Sequence, residues 1–143
     1  MVYFQKWKMA LGGAAILLCL GAFCDKAGLS RTAAADKLML TAAVMCEDVQ
    51  DRQPLYEGVV FSIGIGRVVC YTLFDSVPEK TFITHNWYNR DNLTTKIKLS
   101  LHPPRWTTYS AIQFRESDKG PWRVEITDSE GQILQVLRFS VTE

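Results

Sequence analysis

This 143-residue chain has two histidines and four cysteines, and no C-x-x-C pair brings any of them together. His85 and His102 stand on separate runs. A zinc-type centre needs three or four converging ligands, so no metal and no cofactor is expected. No G-x-S-x-G motif surrounds Ser110, so the strained elbow that exposes a serine nucleophile is missing. Carboxylates are present but scattered. Asp48, Asp51, Asp75, Asp91, Asp118, Asp128 and Glu130 fall in stretches that read as loops and turns, whereas acid–base hydrolysis needs two carboxylates at one cleft. The expectation is that the chain is not an enzyme, with a small hydrolase kept as an alternative.

An excess of one charge is missing too. Sixteen basic residues face fifteen acidic ones, for a net charge of +1. Two of the lysines, Lys6 and Lys8, precede residue 25, so the rest of the chain carries −1. Nucleic-acid binding needs clustered Lys and Arg, and no nucleic-acid partner is expected. There is no internal repeat and no low-complexity tract.

Long apolar runs are absent except for one. Residues 1–8 are short and basic, and Met9–Phe23 is an uncharged run of fifteen. A positive start followed by an apolar core of about 7–15 residues is a secretory-signal pattern. A full bilayer span needs about 20 apolar residues. Residues 1–24 therefore read as a hydrophobic helix, either a signal peptide or a retained anchor in the inner membrane. Tyr3, Phe4 and Trp7 are residue types that settle at a membrane interface. Cys24 closes L-G-A-F-C, near a lipoprotein box but with the large Phe23 where a small residue belongs. Residues 25–37 read as a polar linker and residues 38–143 as the folded domain. The expected location is the periplasm, soluble after cleavage or anchored to the inner membrane.

The domain is written in strands. In Thr95–Leu101, Ile97, Leu99 and Leu101 alternate with Lys96, Lys98 and Ser100, the period-two pattern of a half-wet strand. Thr81–Tyr88 puts His85 and Trp87 on one face. In Arg105–Ala111, Trp106, Thr108 and Ser110 oppose Arg105, Thr107, Tyr109 and Ala111. Leu38–Glu47 would suit a helix by propensity but reads as the first strand, since everything downstream is strand. Glu47–Pro54 reads as a loop. Val59–Gly64 and Arg67–Phe74 follow, the latter β-branched, aromatic and near-continuously apolar, as a central strand is. Trp122–Thr127 and Gln132–Val141 alternate and close the domain. The punctuation is Gly64-Ile65-Gly66, Asn89–Asn92, Pro103-Pro104, S-D-K-G-P and Asp128–Gly131. Seven or eight short antiparallel strands at this spacing describe an all-β, immunoglobulin-like β-sandwich, with a barrel as the alternative.

Several fragments together resemble the bacterial family known as domain of unknown function 2914. They are Cys46-Glu47…Asp51-Arg52-Gln53-Pro54, V-V-C-Y-T-L-F, T-H-N-W, P-R-W-T-T-Y-S, G-P-W-R-V and G-Q-I-L…F-S-V. The resemblance implies a small all-β domain, often joined to a membrane or exported segment, with no assigned activity. The family's usual arginine after R-W is Thr107 here, which weakens any charged site built on it.

Five residues could form a polar-aromatic patch: His85, Trp87, Arg105, Trp106 and Tyr109. Tryptophan offers a flat apolar face to a sugar ring, and arginine a bidentate fork to a carboxylate. The competing reading places His85 and Arg105 on loop carbonyls and Trp87 and Trp106 in the core. Trp122, after Gly120-Pro121, reads as core. Cys46 and Cys70 sit on neighbouring strands and could form a disulfide in an oxidising compartment, or remain two buried thiols. The expected function is a non-enzymatic binding or interaction module in the periplasm, with a protein or glycan partner. The alternative is a structural accessory subunit of a larger membrane complex, held there by its N-terminal helix.

Overall fold

The computed structural model describes residues 37–143. The hydrophobic helix expected at residues 1–24 and nearly all of the expected linker lie outside the described residues.

Among the described residues, nine strands form two sheets. They are β1 (Met39–Gln50), β2 (Gln53–Glu57), β3 (Val60–Ser62), β4 (Arg67–Ser76), β5 (Thr81–Asn89), β6 (Asn92–Leu101), β7 (Trp106–Gln113), β8 (Gly120–Thr127) and β9 (Ile133–Thr142). One sheet has the order β2-β1-β4-β7, the other β3-β9-β8-β5-β6. The sheets stay separate and pack face to face, so the domain is a sandwich and not a barrel. The strands exceed the seven or eight expected, and they are not all antiparallel. β3 pairs with β9 in parallel, Phe61 opposite Val141.

The extra strand comes from the stretch read as a loop. β1 runs on through Glu47–Gln50, turns at Asp51-Arg52, and returns as β2 with Gln50 opposite Gln53. Both turn residues have positive φ, 49° and 61°. That pattern matches the twist of a two-residue hairpin but normally selects Asn-Gly. Nothing in Asp-Arg advertises it. The turn at residues 89–92 repeats the geometry, and its left-handed residues are Arg90 and Asp91. The asparagines flank it as a cross-strand pair. Ile112 and Gln113 complete β7, and Glu116–Asp118 form a short 3-10 turn.

The core lies between the sheets. β4 is central in its sheet, as its apolar run implies, and contributes Val68, Cys70 and Phe74. β5, β8 and β9 contribute Ile83 and Trp87, Trp122, Val124 and Ile126, and Phe139 and Val141. Phe139 is the aromatic hub. Phe61 and Trp87 meet it edge-on at 5.9 and 6.2 Å, and Trp122 stacks on it at 6.0 Å. Such pairs are worth about 0.5–1.5 kcal/mol each beyond their buried area. Trp122 is core, as its sequence context implies, and its Nε1 donates to the Asp118 carbonyl at 2.6 Å. Ile97, Leu99 and Leu101 of β6 face in while Lys96, Lys98 and Ser100 face out, the expected alternation.

A second cluster covers the outer face of the four-stranded sheet. Cys46, Val69 and Tyr71 are buried there against Val44, Val49 and Leu73. Cys46 stands opposite Val69 in the register, and Cys70 opposite Met45. Since successive side chains point to opposite faces, Cys70 enters the main core and Cys46 the outer cluster. The two thiols are free and point away from each other, so no Cys46–Cys70 disulfide forms. The alternative of two buried thiols is the one adopted. Burial pushes the Cys46 thiol up to about 11, and burial raises Cys70 still further.

Candidate functional site

The five candidate residues separate into two groups. His85 and Trp87 are completely buried on the inner face of β5. Across the core, Ser110 of β7 reaches both. Its Oγ lies 2.7 Å from His85 Nδ1 and accepts the Trp87 Nε1–H at 3.2 Å. Burial holds His85 down at about 4, so the imidazole is neutral at physiological pH. Its Nε2 has no hydrogen-bond partner among the described residues. This triad ties one sheet to the other inside the core and presents nothing to solvent.

Arg105, Trp106 and Tyr109 are at the surface. Trp106 is 36% exposed and Tyr109 51%. Trp106 stands opposite Phe74 in the register, and its ring lies 4.6 Å from that of His102. Arg105 Nε is 2.8 Å from Asp75 Oδ1 across the strand pair. The peptide between Pro103 and Pro104 is cis, and the Pro104 carbonyl accepts from the Val77 amide at 2.8 Å. The H-P-P break thus brings Arg105 beside the β4–β5 loop.

Arg105 and Trp106 line a cleft of about 500 Å³ together with Asp51, Arg52, Gln53, Tyr71, Leu73 and Thr107. The β1–β2 hairpin tip forms one wall, held by the Tyr71 hydroxyl donating to the Arg52 carbonyl at 2.9 Å. The outer faces of β4 and β7 form the floor, where Leu73 stands opposite Thr107. Two arginines therefore line the cleft from separate elements. Arg52 makes no ion pair among the described residues, and Arg105 commits one donor to Asp75. An arginine fork can take a carboxylate bidentately, and Trp106, the first residue of β7, borders the cleft while its ring rests on His102.

Sequence reasoning reached Arg105 and Trp106 but not Arg52, Tyr71 or Leu73. A lone tyrosine in an otherwise apolar central strand was the available signal for Tyr71. Arg52 stood only in a fragment of the family resemblance, and the hairpin that places it is not written as Asn-Gly. A smaller hollow of about 120 Å³ gathers Tyr88, Arg90, Asp91, Arg123 and Arg138 on the other sheet. There Arg123 is already occupied by Asp91 and Glu125 and lies 4.0 Å over the Tyr88 ring. Among the described residues, no group of three or more His, Cys, Asp or Glu could hold a metal ion.

The fold and site define a two-sheet β-sandwich with a surface cleft at one end of its four-stranded sheet. The sequence model of a family described as "Protein of unknown function (DUF2914)" matches residues 80–141, and the chain is similar to that family over β5 to β9. The motifs T-H-N-W, P-R-W-T-T-Y-S, G-P-W-R-V and F-S-V fall inside that range. The pieces at Cys46–Pro54 and Val68–Phe74 fall before it. No curated protein matches the chain.

Proposed function

We propose that the chain is a non-enzymatic binding module that holds a carboxylate-bearing ligand, a peptide or an acidic glycan, in the cleft between the β1–β2 hairpin and the end of β7. The observation that carries this reading is the convergence of Arg52 and Arg105 with Trp106 around one cleft. Arg52 adds weight, because it occupies a left-handed backbone position that asparagine or glycine fills more easily. Placing an arginine there costs stability and gains a cation at the cleft wall. A two-sheet β-sandwich suits the role, since it presents the loops at its ends from a rigid frame. In this reading residues 1–24 export the domain and place it on the periplasmic side of the inner membrane, cleaved or as an anchor.

Titration with carboxylate-bearing peptides and acidic sugars, followed by tryptophan fluorescence, tests the reading. Binding shifts the emission of the native protein, and the shift disappears in Trp106→Phe while Trp87 and Trp122 remain. A signal unchanged by Trp106→Phe and by Arg105→Ala places the ligand elsewhere and ends the proposal.

A further inference from the structure

Each sheet ends in two edge strands, and exposed edges invite pairing with other chains unless blunted. Three of the four are blunted. β2 has only five residues, with Pro54 unable to donate and Tyr56 at a φ of 56°. β3 has three residues. β6 carries Lys96 and Lys98 outward, the usual edge gatekeepers. The fourth edge is β7, W-T-T-Y-S-A-I-Q. It has no charged residue and no proline, and its pairing with β4 runs without a bulge from Trp106 to Gln113. Among the described residues, its other edge takes no strand and no backbone hydrogen bond.

The sequence of this strand is compatible with itself. Antiparallel pairing about a two-fold axis at Tyr109 sets Thr108 against the partner's Ser110 and Thr107 against the partner's Ala111. It sets Trp106 against the partner's Ile112 and Arg105 against the partner's Gln113. No like charges meet, and each pair lies on a matching face. Tyr71 is already opposite Tyr109 within the domain. The pairing would therefore line up four tyrosines across the joined outer face: Tyr71, Tyr109, the partner's Tyr109 and the partner's Tyr71. Aromatic cross-strand neighbours stabilise a sheet, and the row extends the outer apolar cluster around Val69 and Tyr71. Tyr109, half exposed in the single chain, would gain a partner.

We propose that β7 pairs with β7 of a second copy of this chain, joining two four-stranded sheets into one of eight strands with the axis at Tyr109. This does not depend on what fills the cleft.

Register-specific crosslinking of the full chain tests it. In a Cys19→Ser, Cys24→Ser background, Cys46 and Cys70 stay buried and silent. Tyr109→Cys then brings two cysteines directly opposite, with Cβ atoms about 4.5–5.5 Å apart. Mild oxidation should yield a disulfide-linked species of doubled mass. Thr107→Cys places its equivalents about 14 Å apart along the strands, beyond the reach of a disulfide, and should yield almost none alone. Mixing the Thr107→Cys and Ala111→Cys proteins should restore the crosslink. No dimer from Tyr109→Cys overturns the proposal, as when an extended segment of another protein or of residues 1–36 covers the edge. Equal yields from Tyr109→Cys and Thr107→Cys overturn it as well, since dimers held only by residues 1–24 would collide without register.

Discussion

Ser110 Oγ lies 2.7 Å from His85 Nδ1, and the two residues belong to different sheets. The same oxygen accepts from Trp87, so one hydroxyl satisfies two buried groups across the core. A serine on a mainly apolar inner face thus hydrogen-bonds one layer of the sandwich to the other.

Removing that hydroxyl should be costly out of proportion to its size. Ser110→Ala strands the Trp87 N–H and a histidine nitrogen in the core. A buried group left unsatisfied costs about 1–3 kcal/mol. Urea unfolding should show a loss in that range, whereas Thr107→Ala, on the outer face of the same strand, should lie within about 0.5 kcal/mol of the native protein.

Stability should fall on mild acidification. His85 has a folded value of about 4 against 6.5 when free, so the unfolded chain binds the extra proton between those limits. The stability held by neutral His85 is complete above about 6.5 and is lost as pH falls toward 4, with a slope of up to roughly 1.4 kcal/mol per pH unit. Unfolding free energies at about pH 5 and about pH 7 check this. His85→Gln should flatten the difference, because it retains hydrogen-bonding capacity but does not titrate.

Arg105 can be removed without harm to folding. Its side chain is 62% exposed and that of its partner Asp75 38%, and exposed pairs of this kind contribute about 0–1 kcal/mol. Arg105→Ala should leave the urea midpoint nearly unchanged while abolishing the ligand-induced fluorescence shift.

Arg52→Gly should raise stability and lower affinity together. Glycine takes the left-handed conformation without the Cβ clash, which for other residues costs roughly 1–2 kcal/mol. Part of that is returned as unfolded-chain entropy, so a net gain of about 0.5–1 kcal/mol is expected. Thermal unfolding and ligand titration on the same variant should move in opposite directions.

The thiols should be inert. With Cys19 and Cys24 replaced by serine, the native protein should release no colour with a thiol reagent at mildly alkaline pH, because burial raises both Cys46 and Cys70. Denaturant should expose two reactive thiols without a reductant. Failure to detect them would mean that the two residues are bridged.

The strands of the central stretch were legible because period-two alternation is a local signal. Ile97, Leu99 and Leu101, or His85 with Trp87, declare a shared face from spacing alone. The β1–β2 hairpin was not legible, because its turn is Asp51-Arg52 and tertiary contacts, including the bond from Tyr71, hold backbone angles that those residues do not favour. The candidate patch was half legible for the same reason. Spacing groups His85 with Trp87, but only the packing of the layers decides that their face is the core. The Cys46–Cys70 relationship turned on an offset of one residue in register, which no spacing in a single sequence can fix.

β9 is the last strand, yet it lies inside its sheet, between β3 and β8. Residues of the first third of the domain and of its final ten positions are thus direct neighbours, Val60 beside Ser140. The five-stranded sheet cannot be completed until residues 133–142 are available. A ribosome or a narrow secretion channel that delivers the chain from its N-terminus would therefore leave this sheet open until residues 133–142 had emerged, whatever the earlier strands had already paired.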